Sequence, residues 1–166
     1  MRPRLFVVMG VAGSGKSSVG VGVAEAIGGT YIDGDDFHPQ ANIAKMASGQ
    51  PLTDEDRWPW LEIVANALAR QQGISLVGCS ALKKAYRNFI TKKAGEAVQF
   101  IYLDGSKELI AARMKARQGH FMPTSLLDSQ FAALEVPSDA ENHIKIDISG
   151  TSEQVIALVV NALKNQ

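Results

Sequence analysis

At 166 residues the chain is long enough to bury a full hydrophobic core and short enough to be a single domain. Lys plus Arg equals Asp plus Glu at 17 each, within a composition 46% hydrophobic and 20% charged, so no global field draws in nucleic acid or an anionic membrane surface. Cys79 is the one cysteine, which excludes an internal disulfide and fits a reducing compartment; the first apolar run ends after five residues, with no secretory or spanning segment, so the cytoplasm is the expected location.

Leu5–Met9 reads as a strand and runs directly into Gly10-Val11-Ala12-Gly13-Ser14-Gly15-Lys16-Ser17. This is G-x-x-x-x-G-K-[ST], the phosphate-binding P-loop, in its strand-loop-helix setting. The glycines allow backbone angles that a Cβ would forbid, so successive amides can turn inward around a polyphosphate. The helix expected over 17–27 adds the positive end of its dipole. Lys16 can reach the β- and γ-phosphates, and the Ser17 hydroxyl suits Mg²⁺. Together with Ser18, residues 10–17 are the candidate ATP-binding set.

A short second strand, Thr30–Asp33, leads into Asp33-Gly34-Asp35-Asp36-Phe37-His38. Carboxylates this close repel one another unless a cation or donors compensate. They form either a solvated acidic turn or a site in which one carboxylate organises Mg²⁺ and another bonds an acceptor hydroxyl. His38 is as well suited to a local backbone contact as to substrate. A helical stretch is expected over 42–47. Thr53-Asp54-Glu55-Asp56 resembles a capping box, but Pro59 would then lie inside the helix. A turn at Thr53 and a helix over 59–70, with Pro59 at its first position, reconcile the two. Arg57 either pairs with its acidic neighbours or forms a fork for a carboxylate; Trp58 and Trp60 read as packing residues.

Strand three is expected over 74–79, followed by Cys79-Ser80-Ala81-Leu82-Lys83-Lys84-Ala85-Tyr86-Arg87. Many P-loop proteins carry an acidic magnesium residue here. Its absence shifts that role to Asp33 and Asp35. On a helix over 83–93, Lys83 and Arg87 share a face that is either solvated or holds an anionic substrate group. Strand four is expected over 98–103 and a helix over 108–117. Arg113 and Arg117 stand four apart before a break at 119–123, as in a basic lid that closes over ATP and excludes water; the approximate lid is 113–137. A helix over 124–134, strand five over 144–148 and a helix over 151–163 complete the chain. Alternating strands and helices imply an α/β protein, a mostly parallel sheet with helices on both faces and its ligands at the carboxyl ends of the strands.

The stretches MGVAGSGKSSV, DGDDFHPQANIAKMASGQPLTDEDRWPWL, CSALKKAYR, FIYLDG, RMKARQGHFMP and SQFAALEVP together resemble the gluconokinases, small P-loop kinases related to shikimate kinase. The resemblance implies a P-loop fold with a five-stranded parallel sheet in order 2-3-1-4-5 and a helical lid. It implies transfer of the γ-phosphate of ATP to the 6-hydroxyl of D-gluconate with Mg²⁺, and a homodimer. Similarity to shikimate kinase-like sites would put Ser17 and Asp33 near Mg²⁺ and Asp35 at the acceptor hydroxyl. Arg113 would flank adenine, and Arg117 would face the transferring phosphate. Arg57 would hold the acceptor carboxylate, a task open equally to Lys83 or Arg87, with His38 nearby. Lys16, Asp35 and Arg117 are then the catalytic candidates. Another small acceptor, such as shikimate or adenylylsulfate, is the main alternative. A nucleotide switch would carry a guanine-specifying Asn-Lys-x-Asp segment, and the chain has none.

Overall fold

Five short apolar runs become the strands of one parallel sheet: β1 (Leu5–Met9), β2 (Thr30–Asp33), β3 (Ser75–Gly78), β4 (Val98–Asp104) and β5 (His143–Asp147). Their order is β2-β3-β1-β4-β5, so the P-loop leaves the central strand. A computed structural model describes residues 3–116 and 124–166 of the chain. Seven helices lie among these residues: α1 (Lys16–Ile27), α2 (Gln40–Ala47), α3 (Asp54–Arg70), α4 (Lys84–Ala94), α5 (Lys107–Ala116), α6 (Thr124–Ala133) and α7 (Ser152–Lys164).

β1 is buried along its whole length because both faces of the sheet are covered. Side chains alternate across a strand. Phe6 and Val8 therefore enter one core with Val19 and Val23 of α1, Ile110 of α5 and Val155 and Val159 of α7. Leu5, Val7 and Met9 enter the other, with Leu61, Val64 and Leu68 of α3 and Tyr86 and Ile90 of α4. No helix among the described residues is long and apolar enough to cross a membrane.

One boundary differs from the expectation. α3 begins at Asp54 rather than at Pro59, and Pro59 lies inside it. The capping box forms in full: the Asp56 amide donates to Thr53 Oγ1 at 3.2 Å, and the Thr53 amide donates to Asp56 Oδ2 at 2.8 Å. Pro59 removes one amide from the helix, but both it and Glu55, four residues earlier, face solvent, where water can bond the freed carbonyl. Burial of Trp60 and Leu61 immediately afterwards holds the helix on course.

Candidate active site

The site starts where β1 ends. Gly13 and Gly15 have φ of 80° and 93°, left-handed angles that favour glycine. A Cβ on Gly13 would also come within 2.7 Å of Met114 Cγ. Gly15 caps α1 without any side-chain acceptor, and the first amides of a helix have no intrahelical partner. The loop therefore presents donors and positive potential to an incoming anion. Lys16 folds back over it, its Nζ donating to the carbonyl oxygens of Gly10 and Val11, each at 3.1 Å. Burial lowers the Lys16 pKa, opposed by the charge of Asp35 and, more weakly, Asp33.

Asp33 ends β2 beside this loop. Its Oδ1 accepts from the Asp35 amide at 2.9 Å, while Oδ2 stands 3.5 Å from Ser17 Oγ. Residues Gly34–Phe37 make a 3₁₀ turn. Gly34 is required there, since a Cβ would lie 2.5 Å from the Gly78 carbonyl oxygen, and its own carbonyl accepts from Trp60 Nε1 at 2.8 Å. The turn is thus clamped between β3 and α3, which fixes where Asp35 stands. The Asp35 carboxylate is open to solvent over most of its surface (79% exposed) but stands in a concave wall. Restricted hydration, then the neighbouring charge of Asp33, raise its pKa despite the opposing pull of Lys16.

His38 lies against Trp60, the rings stacked at 4.0 Å. Asn42 Nδ2 donates to the Asp56 carbonyl at 3.0 Å, which orients the amide, and meets His38 Nδ1 at 3.3 Å. Nδ1 therefore accepts and the proton sits on Nε2, 3.7 Å from Asp35 Oδ1. Burial lowers the His38 pKa, so the ring is neutral near pH 7.

Past His38 is a polar cluster. Tyr86 donates from its hydroxyl to Asp54 Oδ1 at 2.5 Å, and Lys83 Nζ reaches the same carboxylate oxygen at 3.4 Å. Arg57 donates from Nη1 to the Leu52 carbonyl at 2.7 Å and lies over the Tyr86 ring. No partner is seen for its Nη2 among the described residues.

Arg87 does not belong to this cluster. It is 1% exposed, and its donors go to Glu141, to the carbonyls of Ala81 and Leu82, and to the carbonyl of Glu135. The substrate-binding role expected for it gives way to a structural one. The shared-face argument fails because Lys83 is the extended N-cap of α4 rather than a helical residue. Arg87→Met is expected to destabilise the protein by about 3–5 kcal/mol, the usual result of stranding one half of a buried pair. The Arg87 guanidinium holds the Glu141 carboxyl below its ordinary 4.5. That stabilisation is complete above pH 4.5 and is lost as pH falls through the depressed folded-state value. Urea midpoints measured against pH should show this acid dependence in the parent and lose it in Arg87→Met, with the gluconate KM of the folded fraction unchanged.

Two adjoining cavities meet at the P-loop. One, of about 270 Å³, is lined by residues that include Lys16, Ser17, Asp33, Asp35 and Gln130. The other, of about 390 Å³, lies between Gly13, Ser18, Arg113, Ile148, Gly150 and Thr151. Arg113 is set there by donating from Nη2 to the Gly150 carbonyl at 2.9 Å. Gly10, Val11, Ala12 and Ser14 complete the loop between strand and helix, Ser14 almost fully buried. Arg57, Lys83 and His38 stand outside the lining of both cavities. Cys79, at the end of β3, is buried with its thiol pushed up to about 12, hence unreactive. Arg117 and His120 fall outside the described residues, as does the 117–123 stretch of the expected lid. Sequence reasoning missed Gln130, whose Oε1 accepts from the Ala12 amide at 2.6 Å. Nothing local in the sequence marks it, because the two residues are 118 apart.

The family model for shikimate kinase matches residues 12–164. The thermosensitive gluconokinase of Escherichia coli K12 is 49% identical over 148 residues, covering 87% of this chain and 79% of that one. The thermoresistant gluconokinase of the same organism is 43% identical over 164 residues, covering 96% and 93%. A crystal structure of a gluconokinase from Sinorhizobium meliloti 1021 superposes with a TM-score of 0.90 at 43% identity, covering 97% of this chain and 91% of its own. A P-loop on the central strand, a carboxylate pair at the end of β2 and identity at this level along nearly the whole chain lead to one assignment: the chain belongs to the gluconokinase family.

Proposed function

We propose that this protein transfers the γ-phosphoryl group of ATP to the 6-hydroxyl of D-gluconate, giving 6-phospho-D-gluconate and ADP. The observation that carries the reading is the convergence of Lys16, Ser17, Asp33 and Asp35 on one cavity, beside a second of about 390 Å³ that has Arg113 in its wall. Identity to gluconokinases near half of all positions supports gluconate as the acceptor.

ATP lies with its triphosphate in the P-loop and its adenine beside Arg113. The acceptor sits against Asp35 and His38, its carboxylate toward Arg57 and Lys83. Transfer forms a bond from the acceptor oxygen to the γ-phosphorus as the bond to the β,γ-bridging oxygen breaks. The hydroxyl proton goes to Asp35, and ADP leaves. Lys16 swings from the Gly10 and Val11 carbonyls onto the phosphates as they arrive. Most of the acceleration comes from positioning and charge stabilisation. Arg117 offsets charge on the transferring group. Residues 1–166 act as one kinase domain whose lid spans roughly 113–137.

Ser17 Oγ and Asp33 Oδ2 offer two hard oxygen donors 3.5 Å apart, which fits Mg²⁺, an ion that keeps several waters and takes few protein ligands. When bound there, it would neutralise charge on the β- and γ-phosphate oxygens. The working form is a cytoplasmic homodimer that binds neither nucleic acid nor membrane, consistent with the balanced charge.

A coupled ADP-release assay across gluconate, shikimate and adenylylsulfate tests the acceptor. Gluconate should give a kcat/KM at least about 10³-fold above the others, because a site built to bond specific hydroxyls rejects analogues that leave its polar groups unpaired. Preference for another acceptor overturns the reading.

A further inference from the structure

We infer that Gln130 is a donor to the transferring phosphoryl group, its carboxamide oxygen steadying the P-loop while its NH₂ points into the phosphate cavity. The inference rests on the kinase reading above and adds to it a residue from α6. An amide N–H can only donate, so the 2.6 Å contact from Ala12 N fixes which end of the carboxamide faces the loop. Nε2, with two hydrogens, is on the other end, and no acceptor for it is seen among the described residues. Gln130 lines the cavity shared by Lys16, Ser17, Asp33 and Asp35, so the acceptor those hydrogens lack is the kind of group that cavity is built to take, a phosphoryl oxygen.

Gln130 lies within the 113–137 segment, on the part of it that is anchored to the rest of the fold. Leu127 anchors α6 in the core at 2% exposure. Lys107 pairs with Asp128 at 2.5 Å. Just past the helix, the Glu135 amide donates to the Leu82 carbonyl at 2.8 Å, and Glu135 Oε1 accepts from the Lys84 amide at 2.8 Å. Gln130 is therefore preorganised relative to the loop, and a preorganised donor aimed at developing charge is an effective form of electrostatic catalysis. A neutral carboxamide also suits the place: it can accept from the loop and donate to the phosphoryl at once, which neither a carboxylate nor an ammonium can do.

Gln130→Glu keeps the length and the acceptor for Ala12 but exchanges the NH₂ for a charged oxygen. Gln130→Met keeps the volume and removes both functions. ATP and ADP affinities are measured by calorimetry without acceptor, and kcat and KM with gluconate. Gln130→Glu should bind ADP within about threefold of the parent and ATP at least about tenfold more weakly. Its kcat should fall about 10²-fold, and that of Gln130→Met about tenfold, with the gluconate KM nearly constant in both. An unchanged ratio of ATP to ADP affinity together with kcat within threefold overturns the inference. So does tighter ATP binding in either variant, which would make the carboxamide a placeholder that nucleotide displaces. A parent enzyme inactive on gluconate would instead sink the acceptor assignment, since the ratio of nucleotide affinities still decides the role of Gln130.

Discussion

Asp35→Asn is expected to lower gluconate-dependent ADP release by about 10²–10⁴-fold, the range a positioned general base contributes, while ATP affinity stays within a few-fold. The substitution is nearly isosteric. The backbone bond from the Asp35 amide to Asp33 Oδ1 does not involve the side chain, and the clamp on Gly34 from Trp60 is untouched. What is lost is the one carboxylate on the acceptor side of the cavity that has no role in shaping the turn. The pH–rate profile separates this from a general loss of charge. The Asp35 pKa is raised above its ordinary 3.8, so in the parent the rate should fall as pH drops through that raised value and Asp35 takes up a proton. In Asp35→Asn this acid limb should vanish and the residual rate be flat across the same range. Turnover within a few-fold of the parent would remove Asp35 from the mechanism.

The difference between Asp35 and Arg87 shows what a sequence does and does not expose. Asp33 and Asp35 were legible because their position follows from local chemistry: a strand end, a turn and an expected parallel sheet put them beside the P-loop. The strand order of the sheet, by contrast, came from family resemblance and not from periodicity. Arg87 was misread because its partners are remote. Glu141 lies 54 residues away in sequence, and only the fold brings it under α4. Once there, it completes a buried pair whose alternative would be an unpaired internal charge. Gln130 was invisible for the same reason. Pro59 is a different case, in which two local rules compete at the start of α3. A full capping box and two buried aromatic and aliphatic anchors outweigh one missing amide on a solvent-facing turn. Local rules therefore serve at strand ends, and fail where two of them compete at a helix start or where a side chain's partner is set by tertiary contact.

Lys16→Met should lose turnover by at least about 10³-fold, whereas Lys84→Ala should remain within about twofold. The two lysines differ in surroundings rather than in chemistry. Lys84 is exposed at the start of α4, and its structural contact is made by its backbone amide. Lys16 is half-buried, held by two carbonyls of its own loop and facing Asp35 and Asp33. Burial disfavours its charge, so its ammonium is only partly compensated in the free protein. A triphosphate supplies the missing negative charge, and that gain is larger still for a transition state in which charge builds on the bridging oxygen and the transferring group. Methionine fills the same space without charge, so the fold should survive and thermal unfolding of the free variant should stay near that of the parent. Addition of ATP should raise the parent's melting temperature and leave that of Lys16→Met almost unmoved, because stabilisation by a ligand follows its affinity for the folded state. If Lys16→Met retained both the ATP-induced shift and turnover within tenfold of the parent, the P-loop lysine would have no part in phosphoryl transfer here, and the nucleotide would have to be held elsewhere.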